Sequence, residues 1–143
     1  MGTSDPVPFV LGPSLLSRPT LSLNHNWFNG ACVRRMYDSL CREYTLSEHA
    51  IRDLKEGMEA VEFEGLVQGL LKANYGMDWD SWWELIEWNV RNREEEHRMS
   101  WDEERGIVLE IMEMWLVRDE ADLIPGVKDR VIALKGYLLC FQL

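Results

Sequence analysis

Helical periodicity is the feature that most limits how this chain can fold, because it persists from Trp27 nearly to the C-terminus. Apolar residues recur three, four and seven positions apart, as they do on one face of an α-helix. No segment alternates with a period of two for long enough to predict a β-strand. We therefore predict an all-α fold: a single-domain bundle of about six helices.

The N-terminal 26 residues follow a different pattern. Four of the five prolines lie there, and prolines at this density stop a helix from propagating. The same segment carries many apolar side chains, among them Phe9, Val10, Leu11, Leu15, Leu16, Leu21 and Leu23. We predict an extended or flexible, Pro-rich arm over residues 1–26 and a helical bundle domain over residues 27–143. The arm docks either on its own bundle or on a partner, and the sequence leaves both open.

Three helices are predicted before residue 77. The first runs from Ala31 to Tyr44. The second starts at a capping box, Thr45-x-x-Glu48, and its apolar seam consists of Ile51, Leu54, Met58 and Val61. The pattern breaks near Gly65, and a short third helix follows until Asn74 to Gly76 end it.

The fourth predicted helix begins at Trp82, after capping residues at 78–81, and carries an unusual tryptophan. Its apolar arc consists of Trp82, Leu85, Ile86 and Val90, with Trp83 at the edge. Trp88 falls on the opposite side, among charged residues. Because tryptophan is a favoured interface anchor, we predict that Trp88, with Trp83 beside it, contacts a partner. The alternative is that Trp88 packs on the N-terminal arm.

Two further helices complete the predicted bundle. A second capping box, Ser100-x-x-Glu103, opens a helix whose apolar surface covers more than half its circumference, so we expect it at the centre. The last helix follows Pro125-Gly126 and carries two apolar stripes, Val127/Val131/Leu134/Leu138 and Ile132/Leu139. A helix at the edge of a bundle needs one such stripe. We therefore predict that Ile132 and Leu139 lie in an interface or in deep core.

The charge balance disfavours binding to nucleic acid over a broad surface. Fifteen basic residues against twenty-five acidic ones give a net charge of −10, all of it contributed by residues 52–143. Arginines near Trp88 could support stacking on unpaired bases, but Glu94–Glu96 offset them. The longest apolar run is far below the roughly 18 residues that span a bilayer. We therefore expect no direct contact with nucleic acid or membrane.

Cysteine use and the N-terminus predict the compartment. Cys32, Cys41 and Cys140 form no CxxC pair, so we expect buried thiols in a reducing environment, with neither a disulfide framework nor a zinc site. The first residues lack the basic region and apolar stretch of a signal peptide. We predict a cytoplasmic or nuclear protein without a transmembrane segment.

Catalytic and metal-binding patterns are weak. The histidines, His25, His49 and His97, lie in polar or charged surroundings where solvation is expected. Glu94-x-x-His97 matches part of a di-iron ligand set, but it occurs once, on a stretch without an apolar face. We therefore predict no catalytic, cofactor-binding or metal-binding residues, and no enzyme activity. The alternative is a small metal-dependent or hydrolytic helical enzyme that uses Glu94 and His97.

Together these patterns favour a non-catalytic protein–protein interaction module, an adaptor, regulator or inhibitor that uses exposed tryptophan and apolar helix surfaces. The expected partner is a protein that is basic or presents an apolar helix, and a homo-oligomer is the other option. One alternative is an acidic decoy for a nucleic-acid-binding protein. In helix number alone the bundle resembles the Bcl-2-like class, which implies binding of a partner helix. Residues 78–82 lack the Asn-Trp-Gly-Arg signature of that class, so no residue role is carried over.

Overall fold

The computed structural model describes residues 30–96 and 102–140. Within these ranges the chain forms five α-helices, two short 3-10 helices and no β-strand. The α-helices are α1 (Gly30–Ala50), α2 (Ala60–Tyr75), α3 (Trp79–Glu96), α4 (Asp102–Leu116) and α5 (Val127–Cys140). The 3-10 helices cover Arg52–Gly57 and Asp119–Asp122. The predicted all-α bundle is confirmed, whereas the proposed arm, residues 1–26, lies outside the described residues.

Helix α1 is longer than predicted, and no second helix starts at Thr45. The hydroxyl of Thr45 donates to the carbonyl of Cys41 at 3.1 Å, a bond within the helix instead of a cap. Tyr44 and Ser47 are buried and extend the inner face of α1 beyond the predicted end. The expected seam is absent because Leu54 lies exposed in the first 3-10 helix and Val61 lies exposed on α2.

Helix α2 runs without interruption through Gly65, where the sequence predicted a break. Phe63, Val67 and Leu71 are buried at helical spacing, and their burial holds the helix together across the exposed glycine. Gly76 ends it, as expected, in the left-handed region at φ 84°. The Gly76 N–H donates to the carbonyl of Lys72 at 2.9 Å, which satisfies a carbonyl in the last turn.

Helix α3 starts at Trp79, three residues before the predicted start at Trp82. The carboxylate of Asp78 accepts the N–H of Ser81 at 2.8 Å and its hydroxyl at 2.7 Å. This is the geometry of an N-cap, which satisfies a backbone donor in the first turn. With Asp78 as the cap, Trp79 becomes helical and turns into the core.

Aromatic residues dominate the core. Trp79, Trp82, Trp83, Trp115 and Tyr37 are each at most 1% exposed. Their rings make edge-to-face or tilted contacts, with neighbouring centroids 5.5–6.4 Å apart. Helix α4 packs against α1 and α5, α1 packs against α2, and α5 packs against α3. The aromatic side chains therefore lie where the helices converge.

Helix α5 buries one of its two predicted stripes. Val127, Val131, Leu134 and Leu138 are at most 1% exposed. Ile132 is 50% exposed and Leu139 43%, so deep core is excluded for both in this chain. Cys140 is exposed, contrary to the expected burial, and Cys32, Cys41 and Cys140 form no disulfide. None of the described helices combines the length and the apolar character that a membrane-spanning helix needs.

Candidate functional site

A small pocket lies where α1, the start of α2 and the two 3-10 helices meet. Its volume is about 170 Å³, which accommodates a side-chain head group and is below the roughly 300 Å³ of typical small-molecule sites. The lining residues are Tyr44, Glu48, Lys55, Ala60, Phe63, Glu64, Asp119, Glu120 and Leu123. Four of these nine carry carboxylates and two carry aromatic rings, so the lining is both acidic and aromatic.

Glu64 is the acceptor at the centre of a buried hydrogen-bond network. It is 3% exposed, and its Oε2 accepts the hydroxyl of Tyr44 at 2.8 Å. Its Oε1 accepts the side-chain amide of Gln68, also at 2.8 Å. The amide oxygen of Gln68 in turn accepts the backbone N–H of Trp79 at 2.9 Å. This network joins α1, α2 and α3 and satisfies a carboxylate that would otherwise be costly to bury.

A guanidinium group already lies beside this network. The Nε of Arg118 donates to a carboxylate oxygen of Glu120, which is 5% exposed. The same guanidinium stands 5.3 Å from the ring centroid of Tyr44 and 5.5 Å from that of Trp79. Its Nη1 lies 3.4 Å from the Sγ of Cys41. Carboxylate pairing combined with aromatic contact is characteristic of arginine recognition.

A second cation of the chain lies at the rim. The Nζ of Lys55 is 3.6 Å from Oε1 of Glu48 and 5.6 Å from the ring centroid of Phe63. The Lys55 side chain is 62% exposed, so this ammonium has access to solvent. Arg118 is held inside the fold, whereas Lys55 sits on a short 3-10 helix that has no buried residues.

Negative charge accumulates around the pocket. Burial raises the pKa of Glu64 above its ordinary value, and the nearby charges of Glu120 and Glu48 raise it further, against the hydrogen bonds from Gln68 and Tyr44. Burial also raises the pKa of the Tyr44 hydroxyl, again with help from Glu120 and Glu64. A cation in the pocket would lower the free energy of these carboxylates. The chemistry of the lining therefore suits a positively charged group.

Of the residues predicted to bind a partner, Trp88, Ile132 and Leu139 are exposed and Trp83 is buried. Trp88 is 47% exposed on the outer side of α3, and its partner contact remains a prediction. Trp83 was placed at the edge of the arc, but it is 0% exposed and packs 5.5 Å from Trp115, centroid to centroid. Its position is corrected to core: neighbours on both flanks of α3 cover the edge of the arc as well as its middle.

Trp88 and the α5 pair belong to separate surfaces. Helix α5 faces α3 through Arg130, which pairs with Asp80 at 2.7 Å, and through Tyr137, whose ring lies 4.8 Å from the guanidinium carbon of Arg91. At about 100° per residue, Ile132 and Leu139 point away from that side of α5. The structure therefore does not combine the predicted contact residues into one site.

The residues of the alternative metal site lie beyond what the structure describes. His97 and His25 are outside the described ranges, and so is the side chain of Glu94, while His49 is exposed in the last turn of α1. Among the described residues no group of three or more histidine, cysteine or acidic side chains could hold a metal ion.

Sequence reasoning missed the pocket, although α2 contains a signal for it. Glu64 and Gln68 are four residues apart and lie next to the apolar positions Phe63, Val67 and Leu71. Two polar residues stacked beside an apolar seam predict a buried, hydrogen-bonded pair. Their partner Tyr44 comes 20 residues earlier, and only the fold brings it near.

Comparison with known proteins connects the chain to parts of two longer proteins. It is 35% identical over 77 residues to "JmjC domain-containing protein 1" of Schizosaccharomyces pombe, which covers 52% of this chain and 17% of that protein. It is 36% identical over 59 residues to "Arginine-specific demethylase JMJ20" of Arabidopsis thaliana, which covers 41% of this chain and 12% of that protein. No family model and no solved structure matches the chain.

These similarities contradict the predicted function. The sequence pattern favoured a non-catalytic interaction module without enzyme activity, whereas one relative is named for a JmjC domain and the other as an arginine-specific demethylase. The prediction was wrong because it relied on the lack of a recognisable catalytic pattern. The aligned segments span less than a fifth of either relative, so such a pattern need not lie within them.

Proposed function

We propose that this chain functions in a demethylase of the JmjC type whose substrate is a methylated arginine side chain in a protein. The observation that carries the proposal is its 36% identity, over 59 residues, to a protein named as an arginine-specific demethylase. The 35% identity to a JmjC domain-containing protein supports the same class.

The chemistry of the pocket agrees with a cationic substrate. Methylation leaves the guanidinium of arginine positively charged and makes it less polar. Carboxylates and aromatic rings line the pocket together, and this combination attracts such a group. The basic protein partner expected from the sequence would, on this proposal, be the substrate.

An exchange of segments tests the proposal. The 59-residue segment of the Arabidopsis demethylase would be replaced by the matching residues of this chain. The chimera and the native enzyme would each be incubated with a peptide containing dimethylarginine, and the loss of methyl groups would be followed by mass spectrometry. We expect the chimera to demethylate this peptide and to leave a trimethyllysine peptide unchanged.

An unrelated helical segment of equal length, inserted at the same place, is the control and should abolish activity. The proposal would be overturned by a chimera that is folded, as judged by circular dichroism, yet inactive beside an active native enzyme. Purified chain would be assayed on the same peptide in parallel, to establish whether it demethylates alone.

A further inference from the structure

We propose that the pocket between α1, α2 and the 3-10 helices is a binding site for an arginine side chain of a peptide, and that Lys55 is a competing cation that covers it. The choice of arginine rests on the proposed function. The cationic character of the ligand rests on the pocket itself.

The first argument is that two cations of the chain already pair with carboxylates that line the pocket. The guanidinium of Arg118 contacts the ring of Tyr44 and pairs with Glu120. The ammonium of Lys55 lies over the ring of Phe63 and pairs with Glu48. Arg118 also contacts the ring of Trp79, so each cation combines a carboxylate with at least one aromatic ring, and the same recognition chemistry occurs twice.

The second argument is the difference between the two cations. Arg118 is partly buried, contacts Cys41 and Glu120, and belongs to the fold. Lys55 is largely exposed, and an exposed ion pair contributes little because water and salt screen it. A guanidinium from outside can replace it at little cost.

The third argument is size and charge. A cavity of about 170 Å³ matches a single head group. Four carboxylates line it, against Lys55 as the one cation of the lining, while Arg118 and Arg52 pair with the lining carboxylates Glu120 and Glu48 from outside it. The formal charge of this group stays negative with all three cations in place. Planar guanidinium pairs with carboxylates through two parallel hydrogen bonds and stacks on aromatic rings, which an ammonium group does not do equally well.

The test is to titrate the whole chain with short peptides and to monitor the NMR chemical shifts of residues around the pocket. One peptide carries arginine, one carries dimethylarginine, and one carries citrulline, which has nearly the same shape without the charge. We expect the two cationic peptides to bind and the citrulline peptide not to bind. The shifts should centre on Tyr44, Phe63 and Glu120.

Two variants make the test specific. Lys55→Gln removes the competing cation and should tighten binding of the arginine peptide by up to about fivefold, the most that an exposed ion pair contributes. Glu48→Gln removes a lining carboxylate and should weaken binding by a similar factor. The matched controls are Lys135→Gln on α5, whose ammonium pairs with Glu113 at 3.3 Å, and Glu56→Gln, an exposed residue of the first 3-10 helix. None of these three residues lines the pocket. Both control substitutions should leave affinity unchanged.

The proposed site would be overturned if the Lys55→Gln variant did not bind the arginine peptide. It would also be overturned if Glu48→Gln and Glu56→Gln changed the affinity for this peptide equally. Equal binding of the citrulline peptide would overturn it too. These outcomes are independent of the proposed function. If the chimera is inactive but the chain binds arginine peptides specifically, the binding site stands and the demethylase proposal is rejected. If the chimera is active but binding does not depend on the charge of the peptide, the demethylase proposal stands and the binding site is rejected.

Discussion

The hydroxyl of Tyr44 donates a hydrogen bond to Oε2 of Glu64 at 2.8 Å, and this bond joins α1 to α2 between two buried side chains. Glu64 has no counter-charge among its hydrogen-bond partners, since Tyr44 and Gln68 are both neutral. The stability of this end of α2 therefore depends on neutral donors that hold a carboxylate in a largely buried position.

Replacing Tyr44 with Phe should destabilise the fold by about 1–3 kcal/mol, because one oxygen of Glu64 would lose its donor and stay buried. The measurement is the free energy of unfolding in urea. Tyr75→Phe, at a partly buried tyrosine in the last residue of α2, is the control and should change this free energy by less than about 0.5 kcal/mol. Equal effects of the two substitutions would contradict the role of the hydroxyl.

Glu64→Gln should change how stability depends on pH. Burial raises the pKa of Glu64 in the folded chain above its ordinary value of 4.5, so the folded state holds the proton more tightly than the unfolded state does. The contribution of this group is fully present below the unfolded pKa and is lost as pH rises through the folded pKa. The unfolding free energy of the native chain minus that of the variant should therefore fall as the pH rises above 4.5 and through the raised pKa of the folded chain. Glu62→Gln, at an exposed position of α2, should show no such trend.

Asp78→Ala should lower the free energy of unfolding by about 1 kcal/mol, because the N–H of Ser81 would lose its capping acceptor. Asp78→Asn keeps an oxygen that accepts the same hydrogen bond, and it should retain most of the stability. Thermal unfolding of both variants separates the cap from the charge. If the Asn variant is as unstable as the Ala variant, the ion pair of Asp78 with Lys72 matters more than the cap.

Two leucines on α5 should respond very differently to truncation. Leu134 is 1% exposed, and Leu134→Ala should cost about 2–5 kcal/mol through lost burial and the cavity left behind. Leu139 is 43% exposed, and Leu139→Ala should cost less than about 1 kcal/mol in the isolated chain. If Leu139→Ala lowered the free energy of unfolding by much more than this, the Leu139 side chain would be buried by a contact that forms in solution.

The sequence predicted those parts of the fold that depend on one helix at a time. The buried face of α5, the exposed position of Trp88 and the stop at Gly76 all follow from local spacing. The prediction failed at Thr45, where a capping pattern competed with the burial of Tyr44 and Ser47 in a longer helix.

The candidate site was less accessible to such reasoning. Its hydrogen bonds join Tyr44 to Glu64, and its cation contact joins Arg118 to Tyr44, so each depends on how separate helices pack. Trp83 shows the same limit, since a residue at the edge of an apolar arc is buried or exposed according to neighbours that come later in the chain.

The tryptophan cluster gives the chain an optical signature of its tertiary packing. Trp79 and Trp83 on α3 each lie within 6.0 Å of Trp115 on α4, measured between ring centroids, and the contacts are edge-to-face. Indoles fixed this closely produce a near-ultraviolet circular dichroism band whose strength depends on their mutual orientation. Helix content, read in the far ultraviolet, survives in compact states that have lost fixed packing, whereas the near-ultraviolet band does not. Separation of α3 from α4 would thus be visible in the spectrum before any helix melts.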